Sequence, residues 1–222
     1  VWRRGQTLVE SEPLYAAPTD SVSVTSYNLE DGENTYAIIY EGLTFYTMDR
    51  YVYREGELTL LPVPQDAGLP GLFRNHLFVE LKSDWQGFKQ GAVIYAPMPE
   101  VLAGTAQYRL FVEPDDSSAI LDIQFTRDAV LVNWLDNVRG RLERHTPVSA
   151  GGEATIAGWQ HETVAFDPDG SIAMQNASHQ KEDFFVNYNS FLEPTTLYHV
   201  DAALQKTVLK SMPAMFDASR FD

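Results

Sequence analysis

The stretch Leu121-Asp122-Ile123-Gln124-Phe125, followed closely by Val130-Leu131-Val132-Asn133-Trp134, decides how this chain folds. Leu121, Ile123 and Phe125 fall two apart with Asp122 and Gln124 between them, and Val130, Val132 and Trp134 repeat the spacing. Side chains two apart on an extended chain share a face, so both segments predict strands, and β-branched and aromatic residues suit a pleated surface. The same period recurs in Tyr36, Ile38 and Tyr40, in Leu77, Val79 and Leu81, in Tyr108, Leu110 and Val112, and in Phe184, Val186 and Tyr188. Helical periodicity is poor. Residues 98–105 support one helical turn, and the longer candidate Val200 to Leu209 is interrupted by Asp201-Ala202-Ala203, which reads as a hairpin turn.

Turn signals at Asp31-Gly32, Glu55-Gly56 and Asp169-Gly170, with the Gly/Pro-rich stretch Ala67 to Gly71, divide the strands into clusters. The clusters cover residues 20–64, 66–114, 117–157 and 160–213. Each has room for three or four strands in roughly 40–55 residues, the size of a propeller blade. An all-β chain of about four blades, each an antiparallel meander, is therefore expected, with less than about a tenth of it helical; a β-sandwich of about 14 strands is the competing architecture. Residues 1–19 are too short for a blade and are read as outer strands of an incomplete one, around Gln6–Val9 and Pro13–Ala16. Val22, Val24, Leu121, Ile123, Val164 and Phe166 are expected on innermost or next-to-innermost strands, largely buried.

Composition narrows function without naming it. With 44% hydrophobic and 12% aromatic residues, the 222-residue chain can bury a core, so disorder is not expected. Sixteen basic against 31 acidic residues leave a net charge of −15, which argues against nucleic acid and anionic membranes as main partners. The absence of cysteine removes disulfides, thiolate metal sites and Cys nucleophiles. It leaves the compartment open between cytoplasm and periplasm. No run approaches the roughly 18 apolar residues of a membrane span. Val1-Trp2-Arg3-Arg4-Gly5 has neither an initiator Met nor an apolar segment behind its charges; it is not a signal peptide and reads as the start of a chain cut from something longer.

No motif assigns a catalytic, cofactor or metal residue. A nucleophile elbow, a P-loop and a dinucleotide fingerprint are all missing. His161-Glu162 begins a zincin-like pattern, but Ala165 stands where its second His belongs, and His76, His145, His179 and His199 add no metal spacing. Asp167-Pro168-Asp169-Gly170-Ser171 looks like the start of a calcium loop, yet Ser178 occupies the position of the distal Glu. A tight turn explains it, with Asp-Gly accommodating positive φ. Asp115-Asp116 reads as a solvated loop rather than a glycosidase pair. Arg139, Arg141 and Arg144, with Glu143 among them, read as an outward strand face, and Trp2, Trp85, Trp134 and Trp159 as inter-blade core or rim.

The stretch Phe184-Phe185-Val186-Asn187-Tyr188-Asn189-Ser190-Phe191-Leu192-Glu193-Pro194-Thr195-Thr196-Leu197-Tyr198 resembles the last propeller blade of the prolyl oligopeptidase family. In that family an aromatic strand leads through Ser-Phe-Leu-x-Pro and a small-residue pair into a Tyr-containing strand. Phe216-Asp217-Ala218-Ser219 is similar to the link from that propeller into the peptidase domain, so residues 214–222 are expected to lead there. Trp2-Arg3-Arg4-Gly5, Leu81-Lys82-Ser83-Asp84-Trp85 and Leu110-Phe111-Val112-Glu113-Pro114 agree in order with the divergent bacterial branch. The resemblance implies part of a seven-bladed propeller, about its last four blades, that covers an α/β-hydrolase serine peptidase acting on short peptides. The triad belongs to that hydrolase domain, and no position here matches it. The implied partners are short peptides and the hydrolase domain of the same polypeptide. A non-enzymatic propeller scaffold is the alternative, and a propeller glycosidase a third reading. Sheet faces left open at the two ends of the arc would favour a two-fold homodimer.

Overall fold

The computed structural model describes residues 4–149 and 156–214. Four sheets of four antiparallel strands follow one another along the chain, each a simple meander. The first comprises β1 (Ser23–Glu30), β2 (Thr35–Gly42), β3 (Met48–Arg54) and β4 (Glu57–Leu60). The second comprises β5 (Gly68–Phe73), β6 (His76–Glu80), β7 (Val93–Pro97) and β8 (Arg109–Val112), with the five-residue α1 (Met98–Leu102) between the last two. The third comprises β9 (Ser118–Phe125), β10 (Val130–Asp136), β11 (Arg139–Ser149) and β12 (Ile156–Val164). The fourth comprises β13 (Ser171–Asn176), β14 (Phe184–Asn189), β15 (Thr196–Val200) and β16 (Lys206–Ser211).

Consecutive sheets stack face to face, and alternation along single strands shows it. On β6, Leu77 and Val79 join Ile38 and Val52 of the first sheet, while the intervening Phe78 joins Phe125 and Val130 of the third. On β10, Val132 and Trp134 face the second sheet, and Leu131 faces Val186 and Phe184 of the fourth. A strand covered on both faces buries consecutive residues, as Val130–Trp134 does throughout; its one polar member, Asn133, donates to the Ile172 carbonyl of the fourth sheet at 2.8 Å. β13, in the last sheet, alternates instead, with Ile172 and Met174 buried and Ser171, Ala173 and Gln175 exposed. The first strands β1, β5, β9 and β13 approach one another in succession, so the sheets radiate from a shared inner line like blades.

Several expectations need correction. Residues 4–19 hold no strand; Leu8–Glu10 is a short 3-10 turn, and Tyr15 reaches the uncovered face of the first sheet, where its hydroxyl donates to Glu41 and its ring lies 5.3 Å from Tyr51. Val22 and Val24 lie at the free end of the stack and are about half exposed. Leu121 is 54% exposed because a bulge opposite Asn133/Trp134 leaves it without a cross-strand partner. Val164 is buried, but it ends β12, the outermost strand of the third sheet, and the half-buried Phe166 lies in the connection that follows. β12 spans the 157/160 boundary, so the third sheet ends at Val164. Trp2 and Phe216–Ser219 lie outside the described residues.

Packing on both faces makes the second and third sheets the most sensitive to truncation. Phe78→Ala is expected to cost about 3–5 kcal/mol, and Val24→Ala no more than about 0.5 kcal/mol. Urea midpoints of the two variants, set against the parent chain, measure the contrast.

Candidate functional site

Strand direction separates two ends of the stack. In a meander, the turns from first to second strand and from third to fourth lie at one end. The turns from second to third strand, and the connections to the next sheet, lie at the other. The end carrying the β1–β2, β5–β6, β9–β10 and β13–β14 turns is stitched together. Asp31 accepts from the backbone N–H of Asn75, and the Tyr36 hydroxyl donates to Asn75 Oδ1 at 2.8 Å. Burial works against the Asp31 charge, but backbone N–H groups of Asn34, Asn75 and Glu33 outweigh it and hold the carboxyl below its ordinary range. Arg74 reaches Asp128 at 3.8 Å. The Arg127 backbone N–H donates to the Lys181 carbonyl at 3.0 Å, and its side chain meets Glu182 at 3.4 Å. His179 stacks on Phe125 and lies against Gly32, so the fourth sheet's loop returns to the first sheet's turn. Contacts therefore run through all four sheets and close on themselves.

The opposite end is open and partly apolar. Phe45, Tyr46, Val138 and Phe191, all on second-to-third strand turns, are 83–88% exposed. Between Asp167–Asp169 and Ser190–Pro194 lies a cleft of about 600 Å³. Asp167, Asp169, Tyr188, Ser190, Phe191 and Glu193 are among the residues lining it. Asp169 pairs with Arg139 at 3.0 Å, and Glu193 accepts from the Tyr198 hydroxyl at 2.6 Å. Burial first, and Glu193 second, push the Tyr198 hydroxyl up to about 12. The 167–171 stretch is the tight connection expected, but Gly170 does not have positive φ. Its lack of a side chain makes room for Tyr188, whose ring and hydroxyl lie where a Cβ would go.

A second polar cluster sits at the seam between the second and third sheets. Glu143, 4% exposed, accepts from Trp134 Nε1 at 2.9 Å, meets His145 Nε2 at 3.0 Å and pairs with Arg141. Burial alone would raise its carboxyl; His145, Arg141 and Trp134 reverse that and hold it below the ordinary carboxylate range. His161 is the cross-strand partner of His145, with ring centroids 5.4 Å apart. These two histidines are the only pair of the five that the fold stacks together among the described residues. His76 contacts the Arg74 carbonyl through Nδ1, and His199 meets Asp183 at 2.9 Å. Among the described residues no group of three or more side chains converges as metal ligands. Arg139, Arg141 and Arg144 are split between the faces of β11, and each meets a carboxylate, Arg144 at Glu162. Asp115 closes a turn onto Ser117, and Trp134 and Trp159 pack in the seam as expected.

Residues 75–212 match the family of prolyl oligopeptidase N-terminal β-propeller domains. This chain belongs to that family. A peptidase of Sinorhizobium fredii, itself uncharacterised, is 27% identical over 98% of this chain and 31% of its own length. A second uncharacterised peptidase, from Rickettsia prowazekii, is 20% identical over the whole chain and 32% of its own length. Among solved structures, a post-proline cleaving enzyme from Rickettsia typhi superposes with a TM-score of 0.85 at 20% identity, over 98% of this chain and 33% of that one. Oligopeptidase B from Trypanosoma brucei gives 0.72 at 16% identity, over 97% and 31%. The chain thus spans about a third of the relatives it matches, and what it shares with the solved structures is the propeller fold.

The Glu143 cluster gives the propeller an acid-sensitive seam. A carboxyl depressed in the folded state contributes stability that is present above its unfolded value, near 4.5, and is lost as pH falls through the lower folded value. Glu143→Gln is expected to destabilise by about 1–3 kcal/mol at pH 7. The gap should narrow steadily below about pH 4.5 in urea melts of both proteins.

Proposed function

We propose that this chain is the propeller segment of a serine peptidase that hydrolyses short peptides, and that it limits which peptides reach the catalytic domain. The observation that carries the reading is the family match over residues 75–212, joined to a stack stitched at one end and open at the other. β1 starts and β16 finishes at the open end, so polypeptide continuing from this segment would leave on the side of the exposed Phe45, Tyr46 and Phe191. Exposed aromatic side chains clustered on turns suit a surface that meets a second domain or a peptide. A peptidase site screened from water and from folded proteins strengthens its own electrostatics and leaves short flexible chains as substrates. That the relatives are described as peptidases and a post-proline cleaving enzyme supports the reaction class.

The segment alone also leaves faces of its first and fourth sheets uncovered, Val24 and Leu60 on one and Phe185 and Leu197 on the other. We include in the proposal that the isolated chain pairs two-fold through them. Light scattering at about 0.15 M salt, where repulsion between acidic surfaces is screened beyond 8–10 Å, should then report twice the mass of the chain.

The activity is tested on the whole polypeptide that contains this segment. It should cleave a short proline-containing chromogenic peptide, lose that activity to a serine-directed inhibitor, and spare the same sequence inside a folded protein. Excising the propeller should remove the size selectivity, and residues 1–222 alone should cleave nothing. A whole polypeptide inert in every assay would point to the binding-scaffold alternative instead.

A further inference from the structure

We propose that the connection from β13 to β14, residues 177–183, is a latch laid across the inner line of the stack, hinged on the third sheet and let go by the first when His179 becomes charged. The proposal rests on the reading of the chain as a peptide-limiting propeller only for what passes along that line. The latch itself is a property of this chain.

Neighbouring sheets meet through their inner strands, β1 with β5, β5 with β9 and β9 with β13. The first and fourth sheets are separated by the other two, so a contact between them spans the inner line. His179 makes that contact. Its carbonyl oxygen and Cβ lie 3.5 and 3.7 Å from where a Cβ would stand on Gly32, in the β1–β2 turn. Its ring stacks on Phe125, the last residue of β9, with centroids 5.6 Å apart. The hinge is separate and polar. The Lys181 carbonyl accepts the Arg127 backbone N–H at 3.0 Å, and Arg127 Nε lies 3.4 Å from Glu182 and 3.0 Å from Asp128. A turn within the loop, from the Lys181 N–H to the Ser178 carbonyl at 3.0 Å, joins the two halves.

The two halves respond to protons in opposite directions. Burial pushes the His179 imidazole below its ordinary value, and the pull of Asp31 and Glu30, both of the first sheet, does not make up the difference. The Asp31 oxygens are already taken by N–H groups of Asn34, Asn75 and Glu33. The third sheet presents the Phe125 ring to His179, while its charged Arg127 and Asp128 are engaged with Glu182. The share of the closed state that His179 supplies is therefore present above 6.5 and lost as pH falls through the lower folded value. Glu182 runs the other way. Burial first, and its contact with the Asp128 carboxyl second, raise it, so its share is present below 4.5 and lost as pH rises through the higher folded value. Mild acid thus frees the His179 contact while the Glu182 hinge holds. One proton shifts the balance between closed and open by at most about tenfold per pH unit.

The chain has no cysteine, so Glu33→Cys and Gln180→Cys give two unique sites for spin labels, one on the β1–β2 turn and one on the loop. Both side chains are exposed. Pulsed EPR on residues 1–222 is expected to show one short distance at about pH 7.5 and a second population, longer by the span of two residues or roughly 7 Å, at about pH 5.5. The Arg127 amide should keep its hydrogen-exchange protection at both, once corrected for the intrinsic rate. His179→Phe keeps a ring against Phe125 without a charge, and should hold the short distance in acid. The His179 ring signals, followed by NMR in the parent chain, should titrate below 6.5. A distance unchanged by pH, the same lengthening in His179→Phe, a His179 titration at or above 6.5, or loss of Arg127 protection together with the lengthening would each overturn the proposal. Because no catalysis is measured, an inactive whole polypeptide would sink the peptidase reading and leave the latch standing.

Discussion

Burial on both faces of single strands is the constraint from which the rest of the structure follows. Leu77, Phe78 and Val79 are adjacent on β6 and all buried, so consecutive side chains need cover on opposite sides. One sheet cannot supply that, and a two-layer sandwich covers each sheet on one side only. A stack in which each middle sheet has two neighbours can. Each large apolar side chain fully withdrawn from water contributes about 1.5–3 kcal/mol, so the three inter-sheet seams rather than the hairpin turns hold the arc together. The seam between the second and third sheets is also the most aromatic. Phe78, Tyr95, Phe111 and Trp159 meet there with ring centroids between 4.7 and 6.1 Å, and edge-to-face pairs add about 0.5–1.5 kcal/mol each beyond burial.

Spacing alone made the strands and their grouping legible, because a period of two survives in every segment that packs against a neighbour. The limits were set by features that period does not encode. A bulge shifts alternation by one residue, and Leu121 therefore faces outward although it keeps step with Ile123 in the sequence. Val24 alternates correctly, but its face belongs to the end of the stack, where there is no sheet to cover it. The 157/160 boundary failed because β11 and β12 are the longest of the paired outer strands, and a uniform blade length hides such variation. The family resemblance was carried by the β14 strand and the Ser190–Pro194 turn, a region of the chain that also forms one wall of the acidic cleft. The cleft itself was not legible, since its other wall comes from the connection before β13, more than 20 residues earlier.

The two ends of the stack differ in the kind of interaction they offer. At the stitched end charged and polar groups are already engaged with one another across all four sheets, so a newcomer there would have to displace existing pairs. At the open end the turns present rings and aliphatic groups without an equivalent network, and the acidic cleft opens beside them. The meander sets which connections fall at which end: those between sheets run opposite the first turns.

Gly170 shows how sheet packing reaches into that cleft. A turn at Asp169-Gly170 suggests a glycine kept for positive φ, yet its φ is not positive. What the position requires is the absence of a side chain, because the Tyr188 ring occupies the space. The same ring stacks on Phe166 at 5.4 Å and belongs to the apolar seam between the third and fourth sheets. Tyr188 thus cannot withdraw from Gly170 without loosening the seam, and it cannot move deeper without meeting the residues packed behind it. The position of its ring is therefore fixed by the core rather than by the loop, and the absence of a side chain at residue 170 is a packing requirement of the seam between the third and fourth sheets.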